Sequence, residues 1–368
     1  MEPHACSGSD GFMLLSRYRR AVMGVAALWI LFFHAGYIHF ESTPVLSTLE
    51  RFIKRAGFCG VDVFLCLSGM GLVYAMEKGP SLLTFYAHGI RRLLIPFVGF
   101  GLFRGWRDGW SASQMLKNLS GYTFLFENIF AFLWFVPALA LFYLVFPLYY
   151  RLFRRSSSQG LFTGCALALW LGATLWLRAD LRPDLFGVTN RIPIFLTGIL
   201  LGWLSARRSI RSDRLAWCFL GLILLLGAYL SFLVNFQGMY LLVPDSGSCL
   251  PNILMGASLP FLLAGLFWLL AERLPVRLPG RLLCGVLFFF GSISLEFYCV
   301  QEWLAGRLLP RLPPELCSFW ANLIFQLAAA AAVLLFWLNK GVWAAVDRLL
   351  ALVRPLSKKD KDKEGAAL

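Results

Sequence analysis

The stretch AVMGVAALWILFFHAGYIHF, residues 21–40, follows the basic run SRYRR and is apolar nearly throughout, yet it carries His34 and His39. Its length matches a membrane-crossing helix, which needs roughly 20 apolar residues. A polar ring kept inside such a helix is costly and points to function by default. The basic run followed by an apolar block looks like a signal peptide, but no small-x-small cleavage site closes it. A retained anchor helix is therefore expected.

The rest of the chain repeats this pattern. Hydrophobic residues make up 59% and charged residues 15% of its 368 positions. A soluble domain averages about 45–50% and about 25%. The apolar excess falls in blocks of spanning length. The expected fold is all-α, a polytopic transmembrane helical bundle. About ten spans are expected, near 21–40, 57–75, 90–104, 130–150, 160–178, 191–205, 215–234, 251–271, 282–302 and 319–339. The stretch 119–129 is expected to lengthen the fourth span or to lie in the interface. A transmembrane domain over 21–340 leaves tails at 1–20 and 341–368, the second ending in the charged KKDKDKEGAAL.

Charge sets the orientation. Loops and tails on one side of these spans hold 23 of the 34 Lys and Arg residues, and the loop 235–250 opposite holds none. By the positive-inside rule both termini are then cytoplasmic. The net charge of +14 reads as this bias plus contact with anionic membrane lipid. Nucleic acid is not an expected partner, because the basic residues punctuate apolar blocks and form no single face. The nine cysteines show neither zinc spacing nor a disulfide framework. One bridge among Cys59, Cys249 and Cys317 stays open. No metal is expected.

With this topology four ionisable residues fall in the outer half of the bilayer: His34, Asp62, Arg191 and Glu296. Charged groups in lipid tend to face one another across a bundle interior, and His34 and Asp62, joined by a short hairpin, are expected to share a cavity. Plainer readings exist: an interfacial histidine, a structural Asp62 partnered with an arginine, a snorkelling Arg191. His39 is expected in the interface, His88 in an inside loop and His4 in the tail. On the inner side, FYAHGIRRLLIP places Arg91 and Arg92 where the third span leaves the cytoplasm. They fit either a topology signal or a clamp for a phosphate-bearing donor.

Taken in order, these segments resemble the membrane-bound acyltransferase 3 family. GVAALWILFFH is similar to its first-helix motif ending in a histidine, here His34. GVDVFLCLSGMGLVY resembles the second, through Gly60, Asp62, Phe64, Ser68 and Gly69. FYAHGIRRLLIP, LWFVPALALFYLVFP, RIPIFLTGILLG and GSISLEFYCVQ resemble four later elements. Two positions depart from the pattern. Met23 stands where an arginine is common, with Arg19 and Arg20 out of register, and Gln301 stands where a second histidine is often found after Tyr298.

The resemblance implies an O-acyltransferase of the cell membrane. Its donor would be a cytoplasmic acyl-CoA, as co-substrate with no further cofactor. Its acceptor would be a hydroxyl of an extracytoplasmic glycan or lipid-linked sugar, and the acyl group an acetyl. His34 would be the base or a transient acyl carrier, and Asp62 or Glu296 would orient it. Arg91, Arg92, Arg191, Ser68 and Tyr298 would bind substrate. The alternatives are a transporter or flippase using the same polar core, and an inactive scaffold of the same fold.

Overall fold

The structure is a computed structural model. It describes residues 10–34, 40, 42–127, 133–180, 186–207, 214–239, 249–308 and 317–353, a few of them by backbone alone. Among these every regular element is helical. The helices are α1 (Gly11–His34), α2 (Pro44–Arg55), α3 (Cys59–Glu77), α4 (Leu82–Asp108), α5 (Ala112–Leu119), α6 (Phe135–Arg155) and α7 (Gln159–Asp180). They continue with α8 (Phe186–Thr189), α9 (Ile192–Arg207), α10 (Arg214–Gln237), α11 (Cys249–Trp268), α12 (Leu278–Ser292), α13 (Ser294–Leu308) and α14 (Cys317–Val353).

Each of the ten expected segments overlaps one of these helices or, for the ninth, the pair α12 and α13. Six helical stretches are long and apolar enough to cross a membrane, and a seventh is reached if the α12–α13 pair, bent by 71°, is one span. The other expected segments fall short of that test for visible reasons. α9 has only 16 residues. α1 carries Arg17, Arg19 and Arg20, and α4 carries Arg91 and Arg92, within their helical turns.

Several boundaries differ from expectation. α1 begins at Gly11, and Phe12, Leu14, Leu15 and Tyr18 are buried, so the residues before 21 pack in the bundle. The connection between the first two spans holds α2, which Pro44 starts and a short 3₁₀ turn joins to α3. α4 starts at Leu82, where the Ser81 side chain accepts a hydrogen bond from the Thr84 amide, and ends at Gly109 in the left-handed region. Arg92 therefore sits ten residues, or about 15 Å, inside that helix. The stretch after α4 forms α5, with a Ser111/Gln114 capping box, and a π-type turn at Thr123–Glu127. α14 runs on to Val353, past the expected end of the membrane domain. Cys59 and Cys249 are free thiols. His4 and His39 lie outside the described residues.

Two seams hold the bundle centre. Along the first, α3 lies on α9 through small residues: a side chain at Gly198 would strike the Cys66 carbonyl at 2.3 Å. Such stripes let helix backbones approach where no hydrophobic effect drives association. Polar contacts close the far end of this seam. Tyr74 hydrogen-bonds Ser205, and Arg207 reaches both oxygens of Glu77 at 3.2 Å, with Tyr150 donating to the same carboxylate. Along the second seam α12 crosses α1 backbone to backbone. A Cβ on Gly291 would lie 1.7 Å from the Arg20 carbonyl oxygen, and one on Gly24 would lie 2.0 Å from that of Leu287. α7 and α10 pack on the outside and are largely exposed, as lipid-facing helices are.

The second seam gives a direct test. Gly291→Leu should sharply reduce folded, monodisperse protein in detergent, because overpacking already costs about 1–3 kcal/mol where side chains can yield, and here the obstacle is backbone. Gly285→Leu, with open space at its Cβ, should behave as the parent in size-exclusion and thermal-melt measurements.

Candidate functional site

α1 climbs about 35 Å from Gly11 to His34, so its basic first turns and its histidine mark opposite ends of the bundle. At the His34 end the imidazole Nδ1 lies 3.3 Å from Oε1 and 3.1 Å from Nε2 of Gln301. Gln301 comes from α13 and is 1% exposed. The bend between α12 and α13 allows this meeting, since it redirects the chain after the Gly291 crossing.

Asp62 and Arg191 meet in the first turn of α3 and just ahead of α9. They form a buried ion pair between Arg191 Nη1 and Asp62 Oδ2, and the guanidinium also lies 5.7 Å from the centre of the Phe58 ring. Asp62 Oδ1 is buried with no hydrogen-bond partner among the described residues. The four outer residues thus split. Asp62 and Arg191 brace each other, His34 is held by Gln301, and Glu296 is buried near Arg92 and Asn339.

The neighbouring arginines of α4 also part company, because successive residues on a helix point about 100° apart. Arg91 forms a two-bond ion pair with Asp347 of α14, at 2.5 and 2.9 Å, and stacks over Trp343. Arg92 turns inward to a cavity of about 360 Å³ between α1, α3, α4 and α6. Arg19, Lys78 and His88 line it too, with Ser68 and Tyr143, and no carboxylate is among its lining residues. Arg19 donates to the Leu67 carbonyl at 2.9 Å, keeps its Nε buried without a partner among the described residues, and feels the like charge of Arg92. Desolvated like charges favour an anion between them.

A second, narrow void lies beside this cavity. Ser68 and Arg92 line both spaces, and Tyr298, Ser294 and Ile30, which lies one turn before His34 on α1, also line the second. Its volume of about 20 Å³ holds roughly one water molecule. On the other side, beyond Phe85, Gly89 and Tyr143, a larger groove of about 480 Å³ is lined almost wholly by apolar side chains. It offers nothing to a charged reactant, so the basic cavity and the void beside it are the candidate site. Among the described residues no cluster of three or more His, Cys, Asp or Glu side chains forms a metal site.

A basic cavity, a small void beside it and a histidine one turn beyond the void make up the candidate site. The family model described as an acyltransferase domain matches residues 21–339. The chain belongs to the acyltransferase 3 family. No curated protein and no solved structure matches it. The family match takes in α4, α9, α13 and all but the first turns of α1, so it covers every residue of this site but Arg19, which lies two positions before it.

Of the residues the sequence named for this acyltransferase, Ser68 and Arg92 line the basic cavity and Tyr298 the void, His34, Asp62, Arg191 and Glu296 line neither, and Arg91 is turned away onto Asp347; Arg19 and the contact of Gln301 were not among them. A signal for Arg19 existed: it lies four residues before Met23, on the same helix face as the position where an arginine is common.

The ion pair predicts its own double-mutant behaviour. Asp62→Leu or Arg191→Met alone should destabilise by about 3–5 kcal/mol, because each leaves a buried charge unpaired. The double variant should melt closer to the parent than either single one. Thermal melts in one detergent decide this, and a double variant no better than the singles would deny the brace.

Proposed function

We propose that the protein is an O-acyltransferase of the cell membrane. It moves an acyl group from acyl-CoA at the Arg17 end of α1, facing the cytoplasm, to a hydroxyl of a glycan or lipid-linked sugar at the His34 end. One observation carries this reading: Ser68 and Arg92 line both the carboxylate-free basic cavity and the narrow void whose far wall is Ile30, one turn beneath His34. Arg19, Arg92, Lys78 and His88 form the kind of pocket that takes phosphate groups. The narrow arm of the donor then points into the void, where the hydroxyls of Ser68 and Tyr298 serve its amides. An acetyl group passes so narrow a space with the least displacement of its walls.

At the far end His34 acts as general base. It takes the proton of the acceptor hydroxyl as that oxygen attacks the thioester carbonyl carbon. The C–S bond then breaks, and the thiolate leaves with the proton that His34 returns. Positioning of donor and acceptor in one line supplies much of the rate. Asp62 and Arg191 hold the neighbouring helix ends in place, and Glu296 steadies Arg92 from behind.

Substitution separates the two ends. His34→Gln should lower transfer by about 10²–10⁴-fold, with expression unchanged. Arg19→Gln and Arg92→Gln should each raise the KM for acyl-CoA, by about tenfold or more if a charged hydrogen bond is lost. Arg91→Gln should leave that KM alone, since Arg91 is spent on Asp347. The measurement is transfer of labelled acyl groups by the purified protein. Near-normal transfer by a folded His34→Gln protein would remove the reading.

A further inference from the structure

Phe85, Gly89 and Tyr143 each line two spaces, the basic cavity on one side and the apolar groove on the other. Phe85 and Gly89 lie one turn apart on α4, and Tyr143 belongs to α6. Gly89 has no side chain of its own, and the Tyr143 ring stands in its place: a Cβ on Gly89 would lie 2.9 Å from Tyr143 Cδ2. Phe85 is stacked on Phe146 with ring centroids 5.8 Å apart, and Phe85 and Tyr143 are both buried. One turn beyond Gly89, Leu93 lines the groove and the void alike. The partition is therefore a single packed layer, and at Gly89 the Tyr143 ring supplies it.

The chemistry on the two sides is opposite. The cavity offers Arg19, Lys78 and Arg92 to an anion. The groove offers about 480 Å³ of apolar space, within the range of small-ligand sites. A molecule with phosphates at one end and a hydrocarbon chain at the other would fill both spaces if the layer gave way. Long-chain acyl-CoA is such a molecule, and each methylene it buried would tighten binding about fourfold. With the layer in place its chain has nowhere to go, because the void has room for about one water. We propose that Tyr143 is a specificity-determining residue: seated on Gly89, its ring closes the donor cavity off from the groove and so restricts the donor to short acyl groups. The proposal rests on the reading of the basic cavity as the acyl-CoA site and deepens it by naming the residue that sets the acyl length.

Displacement of labelled acetyl-CoA from the full-length protein in lipid nanodiscs tests this, with unlabelled acetyl-CoA and octanoyl-CoA as competitors. The parent should bind octanoyl-CoA no more tightly than acetyl-CoA. Tyr143→Ala should raise the ratio of octanoyl-CoA to acetyl-CoA affinity by about tenfold or more, the gain per methylene being partly offset by ordering of the chain. Tyr143→Val, a smaller loss of packing, should shift the ratio the same way, and Tyr143→Phe, which keeps the ring, should hold the parent's ratio. Ala140 lines the groove and not the cavity. Adding Ala140→Trp to Tyr143→Ala should therefore fill the groove and cancel the gain. The proposal is overturned if Tyr143→Ala and Tyr143→Val keep the parent's ratio, or if the parent already prefers octanoyl-CoA by a margin that Ala140→Trp removes. Failure of the donor reading looks different: acetyl-CoA affinity would then be untouched by Arg92→Gln, and both readings would fall.

Discussion

An apolar bundle can hold a carboxylate and a guanidinium only if they hold each other. The Asp62–Arg191 pair meets that condition between α3 and α9. The cost of bringing two ions out of water is several kcal/mol each, and removing one partner leaves the other stranded. The pair therefore admits one register of α3 on α9, and the small residues below it allow that register to close. Ser68 is fixed six residues further down α3, facing the cavity. The site inherits its geometry from a contact that need not touch the reactants.

Electrostatics then divides the molecule along its long axis. Basic groups that lack a lining carboxylate gather around one cavity, and the histidine stands at the other end of α1. Between them lie hydroxyls, apolar rings and room for about one water. Low polarity there strengthens any hydrogen bond that is made. Arg91 and Arg92 show how finely this division is cut. Adjacent in sequence, one serves the outer face of α14 and the other the interior.

Much of this was legible before any coordinates. Each apolar block expected as a span falls on a helix, or on the α12–α13 pair, and polar residues in apolar runs drew attention to His34, Asp62, Arg191 and Glu296. Partner choice was not legible, because Asp62 and Arg191 lie 129 positions apart and His34 and Gln301 lie 267 apart. Nothing local in either pair announces the other. The amphipathic α2 hid because its charges break the apolar run that signals a span. Arg19 was masked by position: an arginine flanking a first span looks like a topology signal whether or not α1 extends back to enclose it. By length and composition six or seven spans stand out where ten segments were expected, because α9 is short, α12 is bent and α1 and α4 carry arginines.

The fastening of α3 to α9 has a mechanical side. With an ion pair near one end, hydroxyl and carboxylate contacts at the other and interlocked backbones between, the two helices form a strut that resists shear. The void beside this strut has room for about one water molecule, so admitting anything larger requires some wall to yield. Opposite the strut stand α4 and α6 with Leu93, Phe135 and Leu139, and the elbow at Ile293 where α12 meets α13. Side-chain rotation on the first two and flexing at the elbow are the soft coordinates, and the elbow also carries Gln301. Widening of the void and placement of the residue that meets His34 are thereby geared to one joint.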